Sequence, residues 1–138
     1  MPEKTLKGRL IFSGTAAGQV LKSEAPLGLF GHLEPKTGVY REAGHPLDGK
    51  CVKGRVLVFP RAKGSTVGSY ILYALRKTGK APAAMILSEC DTIVAVGAII
   101  SSIPTVDNIG LSALKDGATA RVKGGKIIVK PTSRRHRA

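Results

Sequence analysis

The chain has 138 residues, 43% of them hydrophobic, which suits one domain with a real core and excludes a disordered chain. Aromatic residues make up 4% and tryptophan is absent, so that core must be aliphatic. The net charge of +13 and pI near 10.2 invite a nucleic-acid reading. Much of the excess is terminal, however: from Ser101 onward eight Lys or Arg face two acids, and Arg134, Arg135 and Arg137 crowd the last five residues. No aromatic stacking pair is interleaved with the basic residues, which single-strand binders generally need. No apolar run approaches the roughly 20 residues of a membrane helix. The opening MPEKTLKGRL lacks a signal-peptide core, so a cytoplasmic location is expected. Cys51 and Cys90 match no metal spacing and read as free thiols; His32, His45 and His136 are scattered, and the chain is assigned no metal.

In chain order, residues 5–12 (TLKGRLIF) read as a first strand and Ser13–Gly18 as a small-residue turn. Gln19–Leu21 then reads as a second strand, making a hairpin-like opening. Residues 23–35 carry Pro26, Gly28, Gly31 and Pro35 and form a loop whose Leu29-Phe30 plugs onto the core. Thr37–Arg41 is a candidate third strand. His45, ahead of Pro46, is held extended in a further loop, as a structural residue or a proton carrier.

Val56–Phe59 is a short β-branched and aromatic run, hence a buried strand ended by Pro60. Arg61, Lys63, Gly64, Ser65 and Thr66 form a basic, small-residue turn. Apolar residues then recur at helical spacing (Val67, Ile71, Leu72, Leu75), with Arg76 and Lys77 in the last turn and Gly79 beyond it. Ala83–Leu87 returns as a parallel strand, completing a βαβ unit. Residues 93–100 (IVAVGAII) fit a short buried helix or a strand, which periodicity does not separate. Ile103–Val106 is a short strand that Pro104 restricts to an edge or an end, and Gly110–Leu114 is a short helix or turn. Ala118–Val122 and Lys126–Lys130 flank Gly124-Gly125 as a terminal hairpin. The sum is a β-rich α/β domain with a mixed sheet and one main helix over residues 1–131, followed by a basic, disordered tail over 132–138.

The strand–loop–helix unit over 56–79 carries the chemistry. Its loop brings backbone N–H groups, two hydroxyls and two cations to the positive end of a helix, a setting that favours a phosphate or carboxylate. An equal reading is that Ser65 or Thr66 caps the helix. The loop lacks the G-x-x-x-x-G-K-[ST] order of a P-loop.

The run VFPRAKGSTVGSY over 58–70, with Gly44-His45-Pro46-Leu47, Ala81–Ala84, residues 93–100 and Ile103–Asp107, in that order, resembles the small subunit of the archaeal aconitase X type dehydratases. The likeness covers roughly residues 5–130. It implies a swivelling β/β/α domain like the mobile fourth domain of aconitase, docked on a large subunit that carries a 4Fe-4S cluster. The best-known activity of that family removes water from (R)-5-phosphomevalonate to give trans-anhydromevalonate 5-phosphate, in a modified mevalonate route to isoprenoids. Two distant cysteines cannot hold a cluster that takes three or four thiolates, so a Lewis acid must come from the partner. The family's base is the serine of Lys-Gly-Ser-Thr, here Ser65. Gly64 permits close backbone approach, Thr66 and Ser69 stand behind, and Arg61 and Lys63 can bind a substrate carboxylate or phosphate. Asp107 either faces the interface or caps a turn. The chain departs from the expected pattern at Arg61-Ala62, where a smaller or glycine-containing pair would stand. Alternatives are a related dehydratase acting on a hydroxy acid such as a hydroxyproline, a basic nucleic-acid-binding module, or a stand-alone sensor of phosphorylated metabolites.

Overall fold

The structure, a computed structural model, describes residues 4–63 and 66–130. Gly64, Ser65 and the basic stretch over 132–138 lie outside the described residues.

Among the described residues, ten strands and two helices follow one another as β1 (Lys4–Lys7), β2 (Arg9–Phe12), β3 (Thr15–Lys22), β4 (Leu27–Gly28), β5 (Val56–Phe59), β6 (Ala62–Lys63), α1 (Gly68–Thr78), β7 (Ala84–Leu87), α2 (Thr92–Ser101), β8 (Thr105–Asp107), β9 (Thr119–Lys123) and β10 (Lys126–Lys130). A 3-10 turn spans Leu111–Ala113. Eight strands form one sheet in the order β1-β10-β9-β3-β5-β7-β8-β2. The two end strands are consecutive in the chain, with only Gly8 between them, so the sheet curls round and the chain itself joins its edges. Gly8 sits at that seam: its N–H donates to the Gly125 carbonyl at 3.0 Å. A β-carbon there would lie 2.3 Å from the Asp107 carbonyl, so only glycine fits.

The single strand expected over 5–12 is therefore two, broken at Gly8. The hairpin-like opening does not form either: β2 pairs with β8, and β3 pairs with β9 and β5. A local turn signal cannot reveal that a strand's partner lies a hundred residues away. Thr37–Arg41 makes only isolated bridges, Leu33 to Tyr40 and Val39 to Cys51, rather than a strand. The terminal hairpin forms as expected, Lys123 opposite Lys126, with Gly124 at φ 62°.

The middle of the sheet is parallel: β3 with β5, β5 with β7, β7 with β8. Its strands are covered on both faces, which explains their unbroken apolar runs. Val56, Val58, Ala84 and Ile86 face inward with Val20, Val106, Val122 and Ile127 inside the curled sheet. Leu57, Phe59, Met85 and Leu87 face outward and meet Leu72, Leu75, Val94 and Ala98 of the helices. The result is three layers: antiparallel strands, parallel strands, helices.

Residues 92–101 are helical, so two helices of similar length replace the expected single main one. Hydrophobicity alone hid this, because α2 contains no charged residue to mark its outer face. Asp91 caps it, accepting from the Val94 N–H at 2.9 Å. Arg76 of α1 closes its other end, donating to the Ser101 and Ser102 carbonyls at 2.7 and 3.0 Å. Gly97 lets the helices touch, since a β-carbon there would stand 3.0 Å from Ser69 Cα. α1 stops as its sequence predicts, with Gly79 left-handed at φ 77°. No helix among the described residues is long and apolar enough to cross a membrane.

Candidate active site

The βαβ unit forms as read: β5 runs parallel to β7, and α1 connects them. The loop between β5 and α1 leaves the carboxyl end of a parallel strand, where open α/β sheets generally place their sites. Ser65 and Gly64, the expected base and its neighbour, lie outside the described residues, and the flanking residues define the site's frame. Arg61 is exposed and forms no ion pair with any described residue; its carbonyl accepts from the Leu27 N–H at 3.1 Å. Thr66 is exposed, Ser69 is half-buried against α2, and α1 begins at Gly68.

Lys63 is placed differently from a free substrate-binding cation. Its ammonium donates to Glu42 Oε2 at 2.6 Å. Glu42 Oε1 in turn accepts from the Tyr40 hydroxyl at 2.7 Å, and that hydroxyl accepts from the Gly28 N–H at 2.8 Å. Gly28 and Lys63 also face each other in the short parallel pair β4–β6. The hydrogen bonds from Lys63 and then Tyr40 hold the Glu42 carboxyl at about 2, well under its ordinary value. Burial, then the bond to Glu42, pushes the Tyr40 phenol up, so it stays a donor. Nothing in the sequence pattern singled out Tyr40 or Glu42. The one available signal was a tyrosine and a glutamate in a glycine-rich loop.

His45 holds the same loop cluster. Its Nδ1 accepts from the Leu47 N–H at 3.0 Å, which leaves Nε2 to donate to the Pro26 carbonyl at 3.0 Å. Both ring nitrogens are engaged, and the ring lies 4.6 Å from that of Tyr40. This is the structural role, not a proton carrier's. Leu29 is buried, whereas Phe30 is 57% exposed, so only half of the expected plug enters the core.

Asp107 does not face outward; its carboxylate is turned inward, where it caps the turn between β7 and α2. It is fully buried, bound by Arg9 through both oxygens and accepting from the Cys90 N–H at 2.8 Å. Cys90 is buried and Cys51 exposed. Burial, with Asp107 and Asp91 nearby, pushes the Cys90 thiol up to about 12. A buried protonated thiol and one exposed thiol do not make the donor set of an iron–sulfur cluster.

A curled mixed sheet backed by two helices, with a strand–loop–helix unit at one end, defines a three-layer β/β/α domain. The family model described as "Aconitase X swivel domain" matches residues 5–130, and the chain belongs to that family. It is 51% identical over 124 residues to the phosphomevalonate dehydratase small subunit of Thermococcus onnurineus, covering 90% of this chain and 95% of the relative. The subunit of the same name from Methanosarcina acetivorans is 52% identical over 124 residues, covering 88% of this chain and 86% of that one. The crystal structure of Thermococcus kodakaraensis aconitase X in its holo-form superposes with a TM-score of 0.90 at 48% identity, over 92% of this chain and 98% of that chain.

Proposed function

We propose that this chain is the small subunit of a hydro-lyase that dehydrates (R)-5-phosphomevalonate to trans-anhydromevalonate 5-phosphate. The observation that carries the reading is the 51% identity, over nearly the full length of both chains, to a subunit bearing that name. The enzyme is a cytoplasmic heterodimer: residues 1–131 form the domain, with 132–138 beyond it, and a large subunit holds the 4Fe-4S cluster. This chain's own donor set does not fit a cluster, so removal of the hydroxyl belongs to the large subunit.

What this chain supplies is the base. Elimination needs the proton on the carbon beside the substrate carboxylate to be taken, and Ser65 is the acceptor. A serine hydroxyl is a very weak acid, and an exposed helix dipole favours its anion by only about 1 kcal/mol. The remainder must come from water exclusion when the subunits close and from oriented N–H groups around the oxygen. Arg61, free of ion pairs among the described residues, suits the substrate's carboxylate or phosphate, with Gly64 and Thr66 lining the approach.

Co-purification with the large subunit and assay on (R)-5-phosphomevalonate tests the reading. Turnover by the pair and none by either chain alone is expected. Turnover of a hydroxyproline instead would move the chain to a sister activity.

A second reading draws on one surface. Lys7, Lys126 and Lys123 stand opposite one another on three neighbouring strands, all exposed and none ion-paired with a described residue. Like charges in cross-strand register are unfavourable, and a polyanion would relieve them. Nucleic-acid affinity falling steeply with salt would favour this binding role.

A further inference from the structure

We infer that Glu42, together with Tyr40, is a positioning residue for the catalytic loop. The inference rests on the proposed role of Ser65 but on a different set of atoms. Lys63 immediately precedes Gly64 and Ser65 in the chain. It is fixed at both ends of its side chain's reach: by backbone, through the register of Gly28 with Lys63, and by charge, through the 2.6 Å contact to Glu42.

Glu42 cannot swing away freely. Its second oxygen is tied to a tyrosine that is wholly buried, and that tyrosine is tied back to Gly28. The four residues close a ring across β4, β6 and the loop over 29–55. Gly28 completes the fit. A β-carbon on it would lie 2.6 Å from His32 Cδ2 and 3.5 Å from Lys63 Cε, so the lysine stem and the imidazole edge pack against bare backbone.

A two-stranded pair of two residues each has little stability of its own. It lies where the chain turns out of the core towards the loop. A charge-assisted bond from a carboxylate held by a buried phenol is the kind of tether that keeps such a pair in register. Lys63 thereby acts on the neighbouring serine through the backbone, and Arg61 is left as the cation for substrate.

The test uses Glu42→Gln, which keeps an acceptor for Tyr40 but removes the charge that Lys63 binds. Tyr40→Phe serves as a second variant: it keeps the buried ring and deletes only the bridge. Hydrogen exchange on the full chain is read at peptides spanning β4 and β6. Exchange there should quicken in both variants while β5, β7 and α1 keep their protection. In the enzyme reconstituted with its large subunit, kcat should fall roughly ten- to a hundredfold, the scale of a small misplacement of a reacting group. KM should stay within about twofold, because no substrate contact is removed.

Lys63→Met should give the same loss, and the Glu42→Gln/Lys63→Met double variant should be no worse than the poorer single one. Unchanged exchange at β4 and β6 would overturn the inference whatever the activity. So would an unchanged kcat with a lowered KM, which would mean that Glu42 screens a lysine that binds substrate. Ser65→Ala, assayed alongside, judges the catalytic reading separately, since the exchange measurement does not depend on it.

Discussion

Arg9 holds Asp107 through both carboxylate oxygens, Nε to Oδ1 at 2.9 Å and Nη2 to Oδ2 at 2.7 Å. The two residues face each other in register between β2 and β8. That pairing forms the β8–β2 end of the sheet, next to the seam at Gly8. The Cys90 N–H, at the turn between β7 and α2, binds the same carboxylate. One buried side chain thus ties the curled sheet to the helical layer.

This arrangement predicts a specific acid sensitivity. Burial alone would raise the Asp107 carboxyl, but the hydrogen bonds from Arg9 and Cys90 outweigh it, and the net shift is downward. A carboxyl lowered in the folded state stabilises fully above its unfolded pKa, about 3.9. That stabilisation is lost as pH falls through the folded value. Urea midpoints measured from pH 7 to pH 2 should fall more steeply below about pH 4 in the parent than in Asp107→Asn. At neutral pH, Asp107→Ala should cost about 1–3 kcal/mol, because the Cys90 N–H loses its acceptor. Parallel pH profiles for parent and Asp107→Asn would count against the account.

Closure of the sheet at Gly8 can be tested on its own. Gly8→Ala places a methyl group against the Asp107 backbone carbonyl, which has no flexible end to move. The strands must part, and a loss of about 1–3 kcal/mol is expected, of the size seen when cores are overpacked. Gly49, whose β-carbon would meet nothing within 4 Å, is a poor control because its φ is 85°. Gly110→Ala is the fair one: it has the same open space without positive φ, and its thermal midpoint should stay near the parent's.

The two cysteines should separate cleanly by reactivity. Cys51 is exposed and Cys90 is buried with its thiol pushed up to about 12. A thiol reagent at pH 8 should label one site per native chain and two per chain in denaturant, and Cys51→Ser should remove the fast-reacting site. Two equally fast sites in the native chain would contradict the burial of Cys90.

The sequence made the local units plain and left their partners dark. The βαβ unit, the Gly79 stop and the Gly124-Gly125 hairpin are each written in adjacent residues, and each forms. The closure at Gly8 is not, because Arg9 finds Asp107 across 98 positions and no periodicity encodes that distance. α2 was ambiguous for a physical reason: all of its faces are apolar, and Val96, Ile99 and Ile100 remain exposed. At the site, Lys63 was legible as a cation beside the loop. Its engagement by Glu42 was not, since an ion pair 21 residues apart depends on how the intervening loop folds.

The proposed dehydration turns on Ser65 taking the substrate proton. The most direct measurement is turnover of (R)-5-phosphomevalonate by the reconstituted enzyme carrying Ser65→Ala, with heterodimer formation and thermal midpoint checked in parallel. With Ser65 as the base, the variant should fold and assemble, and its kcat should drop by at least about a hundredfold, the scale of losing a general base. An assembled variant turning over at the parent rate would contradict it.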